Sequence, residues 1–356
     1  MKKYISLLMA AVLALTLFSA CGSKENQDAK SSLGGESDKL QIVTTIFPEY
    51  DWVMNVLGDQ AQNADVTMLL DNGVDLHSYE PTPEDVLKIS NSDLFIYVGG
   101  ESDEWVEDAL AEAVNQDMIV INLMESLGDS VSEEEIVEGM EAEKEEEEEA
   151  EEGEAAEEEV EYDEHVWLSL KNASAIVSKI SEALQTLDEA NADAYEANAT
   201  SYIEQLDALD QEYERAVSSA TVQTVLFGDR FPFRYLTDDY NLKYYAAFVG
   251  CSAETEASFE TITFLANKVD ELSLPTVLII DGSDGKIAET IVENTTNKDQ
   301  QILTMNSMQS TTSENVENGM TYLSVMKDNL AILKQALGEE TTASLDSDEA
   351  QKKTLI

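Results

Sequence analysis

Between residues 39 and 123, short apolar runs alternate with stretches of helical spacing. Residues 40–45 (LQIVTT), 93–98 (DLFIYV) and 118–123 (MIVINL) have the length and β-branched content of buried strands, and 48–57 has the periodicity of a helix. The pattern returns after residue 221, where 224–227, 244–248 and 276–280 read as strands and 258–272, 286–294 and 322–337 as helices. Such alternation predicts α/β lobes built on parallel sheets, one on each side of a middle stretch. That stretch, 171–220, contains no Pro or Gly and places Tyr195, Tyr202, Leu206, Leu209 and Tyr213 at spacings of seven, four, three and four. The stripe predicts one long amphipathic helix whose Tyr and Leu face is core. The chain therefore divides into an N-terminal lobe at 39–171, a linking helix at 172–220, a C-terminal lobe at 221–338 and a loose tail at 339–356.

Composition changes this picture in three places. Residues 133–164 hold 20 acids and one Lys in 32 positions, too little apolar surface to fold alone, and predict a disordered surface loop inside the first lobe. The whole chain carries 74 acids against 20 bases, a formal charge of −54, which repels nucleic-acid phosphates and anionic membrane surfaces and favours cations as guests. Acids crowded at 133–164 would raise the local cation concentration, or serve solubility alone. At the N-terminus, Lys2 and Lys3 precede an apolar run at 4–18 and then Ser19, Ala20 and Cys21, the layout of a secretory signal at 1–20. Residues 15–21 (LTLFSAC) resemble a bacterial lipobox, which implies lipidation of Cys21, a flexible tether at 21–38, and an extracytoplasmic protein anchored to a bacterial cell membrane.

With two cysteines, neither a disulfide scaffold nor a Cys-rich zinc motif is available, so a metal site would be built from His and carboxylates. Cys251 reads as a buried small hydrophobe, with a soft-metal ligand as its other reading. The two histidines stand in unusual company. His77 lies in a turn-rich loop between Asp75 and Glu80, and His165 follows Asp163 and Glu164 where the acidic stretch meets apolar sequence. Imidazole suits zinc and similar ions, and an adjacent carboxylate can orient its second nitrogen.

Three segments carry a family resemblance: DLHSYEPTP at 75–83, YVGGE at 97–101 with Trp105, and DEHVWLSLKNA at 163–173. They are similar to those of the metal-binding lipoproteins that feed zinc or manganese ABC importers. The likeness runs from about residue 40 to 337. It implies two Rossmann-like α/β lobes joined by a long rigid helix, with one ion held in the interlobe cleft by side chains from four segments. His77 and His165 match the first two ligand positions. In zinc-specific members a His- or acid-rich loop separates these two ligands, as 133–164 does here.

The second half departs from the family pattern. The third-ligand position is matched by Arg230, whose guanidinium cannot ligate a cation. Either Asp229 supplies an oxygen, or the ligand is lost and Arg230 pairs with a nearby carboxylate. Asp229 has a second reading of its own, a salt bridge to Arg230 or Arg234. Gln309 stands where some relatives have an acid and could offer a neutral oxygen. Asp281, after the apolar strand at 277–280, sits where open α/β sheets place ligands and is the favoured fourth ligand; it could equally cap the turn before Lys286. The first shell expected is His77, His165, Asp229 and Asp281, with Gln309 as a further candidate. The function implied is a monomeric, non-enzymatic carrier that captures Zn2+, or alternatively Mn2+, for an ABC permease. A metal-stabilised adhesin is the other binding reading. A zinc hydrolase is disfavoured by the lack of a His-Glu-x-x-His or similar helix-borne pair.

Overall fold

The computed structural model describes residues 39–141, 161–252 and 256–339. The signal, Cys21 and the tether, the middle of the acidic stretch and the tail from residue 340 lie outside the described residues.

The first lobe begins with β1 (Leu40–Thr44), whose Ile42 and Val43 are buried, and α1 (Phe47–Leu57). Glu49 on the first turn of α1 accepts from the amides of Thr45 and Ile46, satisfying donors that a helix start leaves free. Then come β2 (Ala64–Met68), α2 (Pro83–Ser90), β3 (Leu94–Tyr97), α3 (Trp105–Ala111), β4 (Ile119–Asn122) and α4 (Leu123–Leu127). The sheet is parallel in the order β2-β1-β3-β4. The second lobe holds β5 (Thr224–Phe231), α7 (Arg234–Tyr240), β6 (Lys243–Val249), α8 (Phe259–Leu272), β7 (Thr276–Ile280), α9 (Lys286–Asn294), β8 (Gln301–Met305), α10 (Ser313–Glu317) and α11 (Tyr322–Ala336). Its sheet is also parallel, in the order β6-β5-β7-β8. Strands β2 and β8 are absent from the sequence-based reading. Both are edge strands with part-exposed positions, so neither presents a continuous apolar run.

The middle stretch is two helices rather than one: α5 (Leu170–Leu187) and α6 (Ala192–Ser219). The break falls at Asp188, whose carboxylate accepts from Asn191 Nδ2 and Tyr195 Oη and so competes with continued helix. The chain turns back there and α6 packs along α5. Of the two, α6, 28 residues and about 42 Å at 1.5 Å per residue, carries the chain from one lobe to the other. Asn198 Nδ2 donates to Val56 O and Tyr202 Oη to Asp51 on the first lobe, while Tyr213 Oη donates to Met326 O on α11 of the second. Helix α11 returns to the first lobe: Tyr322 N donates to Asp51, and its ring meets Trp52 edge-on at 5.2 Å. One apolar cluster runs unbroken from β1 through α5 and α6 to β5 and α11, so the lobes are held as one body, with a second small core on the outer side of the second sheet.

The expectation of disorder over 133–164 is corrected at both ends of that stretch. Glu133 bridges Tyr162, Glu134 N donates to Glu161 O, and Arg234 pairs with Glu135. Val137 and Met140 pack on the core, and Glu141 bridges Phe248. Backbone pairing and two apolar contacts anchor a segment whose acidic composition argued against order; residues 142–160 lie outside the described residues. Among the described residues, no helix is long and apolar enough to cross a membrane.

Candidate metal centre

His77 sits on a single 3-10 turn, Leu76–Ser78, in the connection after β2. Leu76 is buried beneath it, and Asp75 Oδ1 accepts from the His77 amide at 3.1 Å, so the turn is clamped from both sides. His165 precedes the 3-10 turn Val166–Leu168 that leads into α5 and is fully buried. Asp163 Oδ1 accepts from the His165 amide at 2.9 Å and lies 3.0 Å from its Nδ1. Asp163 is itself held by the second lobe, because Tyr235 Oη donates to its carbonyl at 2.7 Å. Trp167 Nε1 donates to Ser307 O at 2.8 Å, which draws the loop after β8 over the histidines. Gln309 lies on that loop and is 2% exposed.

The two imidazoles meet, with His77 Nε2 and His165 Nε2 3.2 Å apart. Gln309 Nε2 lies 2.8 Å from the first and 2.9 Å from the second. Each far nitrogen has a partner of its own. His165 Nδ1 faces Asp163, and His77 Nδ1 lies 2.7 Å from Ser102 Oγ and 3.5 Å from Glu164 Oε2. With the protons on Nδ1, both Nε2 atoms present lone pairs to one point. Burial, and then the neighbouring His165 ring, hold the His77 imidazole down at about 3, so it is neutral at physiological pH. In this state the Gln309 NH2 can donate to both lone pairs, while its Oε1 is buried without a partner. Rotation of that amide would aim Oε1 at the same point.

Glu164 backs the pair. Its Oε1 accepts from the Ser102 amide at 2.9 Å, its Oε2 has no hydrogen-bond partner, and burial pushes the carboxyl above its ordinary range. Gly100 makes room for it: at φ +82° a Cβ there would stand 2.4 Å from Glu164 Oε1.

Asp229 and Asp281 are not brought to the histidine pair. They lie at the carboxyl ends of β5 and β7, the central strands between which the sheet order reverses, and line a neighbouring cavity of about 530 Å³ with Asp75 and Arg230. Asp229 Oδ1 accepts from the Arg230 amide and Oδ2 from the Ile280 amide at 3.3 Å. Asp281 Oδ1 accepts from Ser307 Oγ at 2.8 Å and from the Ser307 amide, and burial raises its pKa. Arg230 turns to Asp75, with Nη2 2.7 Å from Oδ2. Burial pushes the Asp75 carboxyl up, but Arg230 and His77 pull it down further, leaving it below its ordinary value. Among the described residues, one group of His, Cys, Asp or Glu donors lies within 4.8 Å of one another: His77, His165 and Cys251. Sequence reasoning did not find Ser102, which no spacing ties to His77. It placed Cys251 first as a buried small hydrophobe and second as a soft-metal ligand, because the approach of the β6 turn to His165 is a tertiary fact.

The sequence profile described as zinc-uptake complex component A, periplasmic, matches residues 42–336. The chain is 32% identical over 343 residues to the zinc-binding lipoprotein AdcA of Streptococcus pneumoniae serotype 4, covering 96% of this chain and 62% of that protein. It is 30% identical over 336 residues to the high-affinity zinc uptake system protein ZnuA of Bacillus subtilis strain 168, covering 94% of this chain and 98% of that one. Its fold is similar to the crystal structure of the Zn(II)-bound ZnuA-like domain of S. pneumoniae AdcA, with a TM-score of 0.64 and 28% identity over 85% of this chain and all of that domain. Matched over most of its length, the chain belongs to the family of the periplasmic zinc-uptake complex component A.

Proposed function

We propose that this protein captures zinc outside the cell and delivers it to the permease of an ABC importer, as a carrier and not as a catalyst. The observation that carries this reading is the convergence of two buried imidazole lone pairs, His77 Nε2 and His165 Nε2, at 3.2 Å, each ring oriented from behind. Two lone pairs that close repel unless something electrophilic lies between them. The Gln309 NH2 stands in that place, and an arriving cation would displace it. Two nitrogen donors favour zinc over manganese, which prefers oxygen-rich sites. The relatives support the same ion, since AdcA is a zinc-binding lipoprotein by name and ZnuA a zinc-uptake protein.

In this reading His77 and His165 hold the ion and Gln309 Oε1 turns in to join them. Asp229 and Asp281, favoured as ligands by sequence, stand instead on the adjoining cavity wall, where their charge draws cations toward the cleft. Cys21 would carry the lipid that keeps the carrier beside its permease.

The test is the metal content of the protein purified from mixed-metal medium. One equivalent of zinc in the parent, and none in His77→Ala or His165→Ala, is the expected result. Retention of zinc by both variants would overturn the reading.

A further inference from the structure

We propose that Cys251 is a ligand of this metal centre, so that the captured ion is held by two imidazoles and one thiolate. The inference rests on the metal-capture reading and specifies the donor set of the same site. One ring nitrogen of each histidine and Cys251 Sγ lie within 4.8 Å of one another. Metal–nitrogen bonds of about 2.0 Å and a metal–sulfur bond of about 2.3 Å bring tetrahedral N and S donors to about 3.5 Å, so a closure of about an ångström completes the contact.

The position of the sulfur is built into the fold. Cys251 follows β6 directly, and the turn at Gly250 lies against the His165 ring: a Cβ on Gly250 would stand 2.8 Å from His165 Cε1 and 3.0 Å from Nδ1. The Cys251 amide faces the Glu134 carboxyl, and the Glu164 amide faces the Cys251 sulfur. The turn is thus tied to both ends of the acidic stretch and to the residue preceding His165.

A second observation concerns the side of the His77 ring that carries Nδ1. Cys251, His77, Ser102, Glu134 and Glu164 line a cavity of about 200 Å³. Glu164, 2% exposed, turns its Oε2 to within 3.5 Å of His77 Nδ1 without a hydrogen bond, and Glu134 Oε1 is buried and unpartnered. Bare carboxylate oxygens in a buried cavity are costly without a positive charge to face. The charge balance agrees. Two neutral imidazoles and an amide bring no negative charge to a dication, and at the family's third-ligand position stands Arg230, engaged with Asp75. A thiolate supplies both a donor that Arg230 cannot provide and the negative charge that the imidazoles lack. As the metal–sulfur bond forms, the S–H bond breaks and its proton passes to Glu134 or Glu164 and then to water, while the electron pair stays on sulfur.

The experiment uses the full-length chain carrying Cys21→Ser, which leaves Cys251 as its one thiol. Loaded with cobalt(II), it should show a thiolate-to-cobalt charge-transfer band in the near ultraviolet, and that band should vanish in the further variants Cys251→Ser and Cys251→Ala. Zinc should slow alkylation of the thiol by about tenfold or more, and Cys251→Ser should weaken zinc binding beyond the 10- to 100-fold typical of an outer-shell partner. Cobalt and zinc bound in a His77-dependent way, with no charge-transfer band and no protection of the thiol, would overturn the thiolate ligand and leave the capture function standing. Failure of the parent to bind either metal would overturn both.

Discussion

Gln309 is where the residue-scale chemistry departs most from what the resemblance implies. An acid at this position would be an anionic ligand, but it could not satisfy the two Nε2 lone pairs when the ion is absent. The amide does the reverse: its NH2 bridges both imidazoles at 2.8 and 2.9 Å, and as a ligand it offers only a neutral oxygen. Gln309→Glu should therefore tighten zinc by about tenfold, ~1.4 kcal/mol, and destabilise the ion-free protein. A chelator competition titration reads the first effect, and the melting temperatures of ion-free and zinc-loaded forms read the second. Equal affinity with an unchanged gap between those temperatures would show that Gln309 takes no part. The histidines were legible in sequence because there are only two and both stand beside carboxylates. The role of Gln309 was half legible: its position showed, but not its bridge between the rings, which depends on the loop after β8 folding over them.

At the scale of elements, Asp51 joins three helices. It lies on α1, and its Oδ2 accepts from Tyr202 Oη on α6 and from the Tyr322 amide at the start of α11, with Asn55 as a third donor. Burial raises this carboxyl from 3.8 to about 6. With the folded-state value above the unfolded one, its stabilising contribution is complete below pH 4 and is lost as pH rises through about 6. At pH 7 the buried carboxylate costs about 3 kcal/mol relative to its protonated form. Asp51→Asn keeps an acceptor oxygen for the same donors and removes the ionisation. Its advantage over the parent in urea unfolding should grow from pH 4 to pH 7; an advantage constant with pH would refute the assignment. The apolar stripe of α6 was readable from spacing alone. The break at Asp188 was not, since an Asp within a helical pattern becomes a stop only when Asn191 and Tyr195 turn to it.

At the scale of the whole molecule, the chain carries a formal charge of −54, which favours a cation as the guest of its cleft. Both described ends of the acidic stretch belong to the folded body, and Asp163 and Glu164 are part of the centre itself. Excision of 142–160 leaves those anchors in place and removes 12 of the 74 acids. The shortened chain should keep its melting temperature and its equilibrium zinc affinity, while the association rate at low ionic strength falls toward the value the parent shows in high salt. Stopped-flow mixing with zinc across a salt series measures this. An association rate unaltered by the deletion would leave the acids without a part in capture.

By itself the sequence determined the α/β class, the two lobes on either side of a helical middle, and the two histidines. Periodicity and composition are local properties, and a pair of rare residues with carboxylate neighbours can be read one segment at a time. The tertiary structure alone decided which donors meet. Asp229 and Asp281, well placed at strand ends, spend oxygens on the Arg230, Ile280 and Ser307 amides, and Arg230 crosses the cleft to Asp75. Cys251, which its sequence context left as a small hydrophobe or a soft-metal ligand, is carried by the turn after β6 to the side of His165. A metal site is a coincidence of side chains from distant segments, and sequence spacing does not record the distance between segments that only the folded body brings together.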